Sequence, residues 1–142
     1  MAYDRDVQVA EYEYDFATDG GDVGVIPLRN LNTTGTSGLK TNCTVIDVQI
    51  YVETGLGSGG AATIELGDAT DPDGYRASIP YSALTTGQVL GMWQLEGVIF
   101  WDSTKPKPFR PAVANDTLPQ ITVSAAALTA GKFKIRFCYI QD

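Results

Sequence analysis

The chain contains no histidine, which excludes Ser-His-Asp and Cys-His catalysis, His-ligated zinc and imidazole acid–base chemistry from its own residues. Cysteine is nearly as scarce. Cys43 and Cys138 are the two in 142 residues, too few for a disulfide framework, and neither stands at a metal-ligand spacing. Reduced thiols are the expected state. First-half and last strands often pair in sandwiches, so a bond between the two stays open at the level of sequence. No run approaches the roughly 18 consecutive apolar residues of a membrane span, and the start, Met1 to Asp6, lacks the basic-then-apolar order of a signal peptide, so a soluble chain is expected. Helical periodicity is almost absent. The best candidate, 82–90, carries Gly87, Thr85 and Thr86 and predicts one turn at most.

What is present suits one globular core. At this length, with 44% hydrophobic and 19% charged residues, about two thirds of the unfolded chain's surface is buried on folding without help from metals or disulfides. A single domain, 1–142, is expected, with 1–20 as a candidate N-terminal clasp. The net charge is −7, which argues against bulk nucleic-acid binding. Its distribution is uneven: residues 1–102 set Arg5, Arg29, Lys40 and Arg76 against fifteen acids, whereas 103–142 hold six bases against Asp116 and Asp142. Unlike ends could therefore meet, within the fold or between copies, although a solvated pattern is the simpler reading. Three glycosylation triplets, at Asn32, Asn42 and Asn115, are taken as chance in a Thr-rich chain.

Periodicity near two dominates. Thr44, Ile46, Val48, Ile50 and Val52 share one strand face, with Val45, Asp47, Gln49 and Tyr51 on the other. Near the end, Phe133, Ile135, Phe137 and Tyr139 alternate with Lys132, Lys134, Arg136 and Cys138, one aromatic face against one cationic face. Further strands are expected over 7–16, 23–28, 62–66, 75–81, 92–101 and 120–124. In the first, Val7 and Val9 are out of phase with Tyr12, Tyr14 and Phe16, which predicts a bulge near Ala10 or a bend between sheets. The Gly-, Thr-, Asp- and Pro-rich stretches 29–42, 54–61, 67–74, 102–118 and 125–131 read as connectors. About eight strands joined by such loops predict an all-β antiparallel β-sandwich, best an eight-stranded jelly roll, with a seven-stranded immunoglobulin-like sandwich as the alternative. Against the latter, Cys43 precedes both Trp93 and Trp101 but lies early in the chain and Cys138 almost ends it, which is not the immunoglobulin placement of cysteines about a central tryptophan.

Several clusters invite a functional reading. Asp68, Asp71 and Asp73 are hard oxygen ligands of the kind calcium takes, but the loop fails helix-loop-helix spacing, and a Pro-Asp-Gly turn between strands is the simpler reading. The run Gly55 to Gly60 has the composition of a phosphate-binding loop without the following Lys-Ser/Thr and reads as a flexible hairpin. Glu11, Glu13 and Asp15 share one strand face and so cannot flank a sugar bond as glycosidase carboxylates do; that face is expected to meet solvent or a partner. Segment 101–111 is the most distinctive loop. Pro106, Pro108 and Pro111 stiffen it, Lys105, Lys107 and Arg110 project from it, and Trp101 and Phe109 serve as apolar anchors, a basic arm suited to an acidic neighbour or else a crossover between sheets. Tyr51, Tyr75, Trp93, Trp101 and Phe109 are the aromatics left over by the core, candidates for a sugar-stacking platform.

The all-β, acidic course of the chain, its Gly/Thr/Ala-rich hairpins and the closing stretch Ala126-Leu-Thr-Ala-Gly-Lys-Phe-Lys-Ile-Arg-Phe-Cys-Tyr-Ile140 resemble the small jelly-roll auxiliary proteins that decorate or cement tailed-bacteriophage heads. The resemblance implies a non-enzymatic protein without cofactor or catalytic residues, made in the host cytoplasm and added to the capsid exterior as a dimer or trimer. Its partners would be the major capsid protein and its own copies. The alternative is a carbohydrate- or receptor-binding module of a head fibre or tail.

Overall fold

The computed structural model describes residues 7–31, 43–91 and 118–141. In chain order these form β1 (Val7–Asp15), a single helical turn α1 (Phe16–Asp19), β2 (Gly24–Pro27), the two-residue β3 (Arg29–Asn30), the long β4 (Cys43–Ser58), β5 (Thr63–Gly67), β6 (Arg76–Pro80), a 3₁₀ turn over Tyr81–Ala83, β7 (Val89–Gly91), β8 (Gln120–Ser124) and β9 (Leu128–Gln141). One sheet has the order β3-β1-β9-β4-β7, the other β2-β8-β5-β6, and every described pairing is antiparallel. With the short β3 set aside, the first strand pairs with the last, the second with the last but one, β4 with β7 and β5 with β6. That is a long hairpin rolled over itself, the jelly-roll arrangement of a β-sandwich.

The core lies between the two sheets. From the first come Tyr12, Tyr14, Val48, Ile50, Val52, Phe133, Ile135 and Phe137, and from the second Ile26, Ile64, Leu66, Ile79, Ile121 and Val123, all buried. Alternation delivers them, since each pleated strand turns every second side chain inward. Aromatic rings lock the centre: Phe137 meets Tyr12 edge-on at 5.6 Å and Tyr75 at 4.8 Å, while Tyr14 lies 5.1 Å from Phe133.

The structure departs from the sequence reading in four places. No bulge interrupts β1, which stays in one register on β9 from Val7↔Ile140 to Asp15↔Lys132; the phase conflict is settled by leaving Val7 and Val9 about half exposed on the outer face. The expected hairpin loop at 55–60 is largely strand. β4 continues to Ser58, its bulges between Val52 and Gly57 absorb the glycines, and Leu56 is buried. β9 correspondingly begins at Leu128, inside the expected connector 125–131. Finally, a helical turn not expected from the sequence appears at α1, while the single turn expected within 82–90 is the 3₁₀ turn at Tyr81–Ala83. Asp15 caps the turn by accepting from the Ala17 amide at 3.0 Å, and Gly20 ends it with φ 75°, a left-handed geometry that suits glycine.

Candidate interaction surfaces

The outer face of the five-stranded sheet gathers the charges that the sequence separates. Alternation puts Glu11 and Glu13 of β1 beside Lys132, Lys134 and Arg136 of β9, and β4 adds Glu53. Arg136 donates to Glu11 at 2.8 Å; Lys134 and Lys132 reach Glu53 at 3.0 and 3.3 Å, and Lys132 stands 3.9 Å from Glu13. The acidic and basic ends of the chain thus meet within the fold. Lys134 and then Lys132 hold the Glu53 carboxyl below its ordinary range, and Glu53 in turn raises the Lys134 ammonium. The acidic face of β1, read as solvent- or partner-facing, is engaged by β9 and β3.

A second knot closes one end of this face. Arg29 donates to both carboxylate oxygens of Asp19 at 3.1 Å and to Glu13 at 3.3 Å, a forked geometry that lysine could not supply. Asp19 also accepts from the Asp15 amide at 2.8 Å, so the knot ties α1 to β1 and β3. Beneath it the Tyr14 hydroxyl donates to the Gly20 carbonyl at 2.7 Å. Burial, helped by Asp19 and Asp15, pushes this phenol up to about 12.

The remaining sequence candidates separate. Asp68 is fully buried and its Oδ1 accepts from the Thr70 and Asp71 amides at 2.9 and 2.8 Å. It braces a turn that Gly67 admits because a Cβ there would overlap the backbone of Asp71 and Pro72. In the same turn the Asp71 carbonyl accepts from the Asp68 and Gly74 amides at 3.0 and 2.9 Å, and among the described residues no group of three or more His, Cys, Asp or Glu side chains is placed to hold a metal ion. Cys138 is a free thiol facing Asp47 and Val9 in register, whereas Cys43 stands opposite Gln141. Burial and then Asp47 raise the Cys138 thiol. Tyr75, a candidate for a sugar platform, is 1% exposed and belongs to the core; it stands one residue before β6, in the same phase as the buried Ile79. Tyr51 does lie on the outer face, opposite Val89 of β7 and partly exposed with it. Trp93, Trp101, Lys105, Lys107, Phe109 and Arg110, with the expected strand 92–101, lie outside the described residues.

Sequence reasoning missed the apolar rim of the four-stranded sheet. Val23 is 60% and Val25 56% exposed at β2, which is an edge strand among the described residues. The signal was available in the run Val23-Gly-Val-Ile-Pro27, whose valines alternate away from the core residue Ile26. Among the described residues no helix is long and apolar enough to cross a membrane.

No family model and no curated protein matches the chain. Among solved structures it is similar to a chain of the cyanophage Pam1 capsid asymmetric unit, at 15% identity and a TM-score of 0.63, over 100% of this chain and 89% of that one. It is also similar to a chain of the acid-stable capsid of Helicobacter pylori bacteriophage KHP30, at 15% identity and a TM-score of 0.56 over 94% and 86% of the two chains. A chain of the Ralstonia phage GP4 capsid matches at 16% identity and 0.56, over 100% and 90%. At these identities the likeness is one of fold: the chain has a β-sandwich fold that also occurs in chains of phage capsids.

Proposed function

We propose that this chain is a non-enzymatic structural protein of a phage virion that attaches to the capsid exterior as a symmetric oligomer and bridges neighbouring capsid subunits. The observation that carries the reading is fold likeness to capsid chains from three phages over 94–100% of this chain. A protein that engages several subunits only in their assembled arrangement stabilises that arrangement by mass action, without chemistry. The bases of β9 are held by the fold's own carboxylates, so attachment is assigned to the other bases of the C-terminal third, Lys105, Lys107 and Arg110, with Trp101 and Phe109 as anchors. Residues 7–19 are built into the fold as β1 and α1, so of the expected clasp 1–20 only the residues outside these elements are left to that role in this reading.

The test is stoichiometry on purified particles, followed by replacement of Lys105, Lys107 and Arg110 with serine. A fixed ratio of many copies per particle is expected, lower in the triple variant and less sensitive to salt than in the parent chain. A few copies would instead favour a fibre or receptor-binding part, absence would refute the virion role, and unchanged occupancy of the triple variant would discard the loop.

A further inference from the structure

We propose that β2 is the subunit contact, pairing antiparallel with β2 of a second copy about a two-fold axis through Val25. This deepens the oligomeric part of the proposed function and is independent of attachment to a capsid. The Leu28 amide donates to the Pro119 carbonyl at 3.0 Å, in the same register that pairs Ile26 with Ile121 and Gly24 with Val123. Antiparallel ladders alternate, so Gly24, Ile26 and Leu28 aim their backbone groups at β8 and the odd-numbered residues aim theirs away. The outward positions include Val25, with amide and carbonyl both available, and Pro27, which has a carbonyl and no amide. Among the described residues nothing covers this rim: Val23 and Val25 are more than half exposed, and a Cβ built on Gly24 would meet no atom within 4 Å.

Natural edge strands are normally blunted with charge, bulges or proline. β3 carries Arg29, and β6 ends in Pro80 beside a register shift against β5. The stretch 23–28 has no charged side chain, and its one proline does not close the edge but selects a register. With Val25 opposite its own copy, the two valines exchange both backbone hydrogen bonds, and each Pro27 carbonyl accepts from the other copy's Val23 amide. The exposed apolar side chains of Val23, Val25 and Pro27 then lie across from Pro27, Val25 and Val23. A two-fold through Gly24 would set Pro27 against Gly21, which is not offered on the rim: it is buried against Leu128 and its carbonyl accepts from the Leu128 amide at 2.8 Å. The occupant that fits is therefore a second copy of this chain, in an isologous contact that joins two four-stranded sheets into one of eight.

Sedimentation of the full chain, free of particles, tests this. A dimer is expected, with Val25→Ile retaining it and Val25→Lys, which opposes two like charges, raising its Kd at least about tenfold while the melting transition of the monomer stays cooperative. A parent chain that is monomeric throughout the micromolar range would overturn the proposal, as would a dimer or trimer whose Kd ignores Val25→Lys. Should Val25→Lys lose its cooperative melt, Val23→Lys makes the same comparison just outside the strand. Loss of capsid attachment alone leaves this result standing, so the two readings fail separately.

Discussion

Phe137→Ala probes the joint between the sheets. Phe137 is completely buried on β9, between β1 and β4, and its ring meets Tyr12 and Tyr75 edge-on. Truncating such a ring loses its transfer energy and leaves a cavity, together about 3–5 kcal/mol, with the two aromatic contacts included in that figure. Taking about 4 kcal/mol and a urea dependence of about 2 kcal/mol per molar, the unfolding midpoint should drop by about 2 M. The melting temperature should fall by about 12 °C. Phe137→Leu keeps most of the volume and should cost about 1.5 kcal/mol. Tyr51→Ala on the outer face should stay within about 0.5 kcal/mol. Equilibrium unfolding by tryptophan fluorescence at fixed protein concentration provides the numbers. A loss below about 1 kcal/mol for Phe137→Ala would refute a core in which this ring joins both sheets.

Two further expectations follow from the α1 end of the molecule. The Tyr14 phenol is raised to about 12 in the fold, so its contribution is complete below its ordinary value near 10 and is lost as pH rises from there toward 12; Tyr14→Phe should flatten that part of the stability profile while losing about 1 kcal/mol at neutral pH with the bond to Gly20, and an unchanged alkaline slope would refute the assignment. Gly21→Ala would bring a Cβ to 2.8 Å from the Leu128 Cβ and against the Leu128 backbone, where neither side can yield, and should destabilise by about 2 kcal/mol or more in a thermal melt. Gly59→Ala, with nothing within 4 Å, is the control and should stay within about 0.5 kcal/mol.

Long alternating runs were legible because a pleated strand turns its period directly into two faces. Ile50, Val52, Phe133, Ile135 and Phe137 lie in the core for that reason, and a jelly roll follows from many short runs with long connectors. Local conflicts were less legible. Val7 and Val9 look like core residues by type, yet the phase of Tyr12 and Tyr14 prevails, because two large buried rings outweigh two half-exposed valines. Gly55 and Gly57 look like loop residues, yet β9 and the 84–88 segment flank that stretch and hold it as strand: the Leu56 amide donates to the Leu84 carbonyl at 3.0 Å. Tyr75 alternates with Ala77, Ile79 and Tyr81 in the expected strand 75–81, yet the partner that encloses it is Phe137, 62 positions away in the chain.

By itself the sequence determined the fold class, the inward aromatic face of β9, and the absence of histidine chemistry, since each depends on residue type and short-range period alone. Which acid meets which base was decided only by the tertiary structure. Glu11 meets Arg136 and Glu53 meets Lys134 because rolling the hairpin lays the last strand between the first and the fourth, a long-range register that no local pattern encodes. The same rolling leaves β2 on a rim with its valines outward, so the surface offered to a second copy is a property of the fold and not of any motif in the chain.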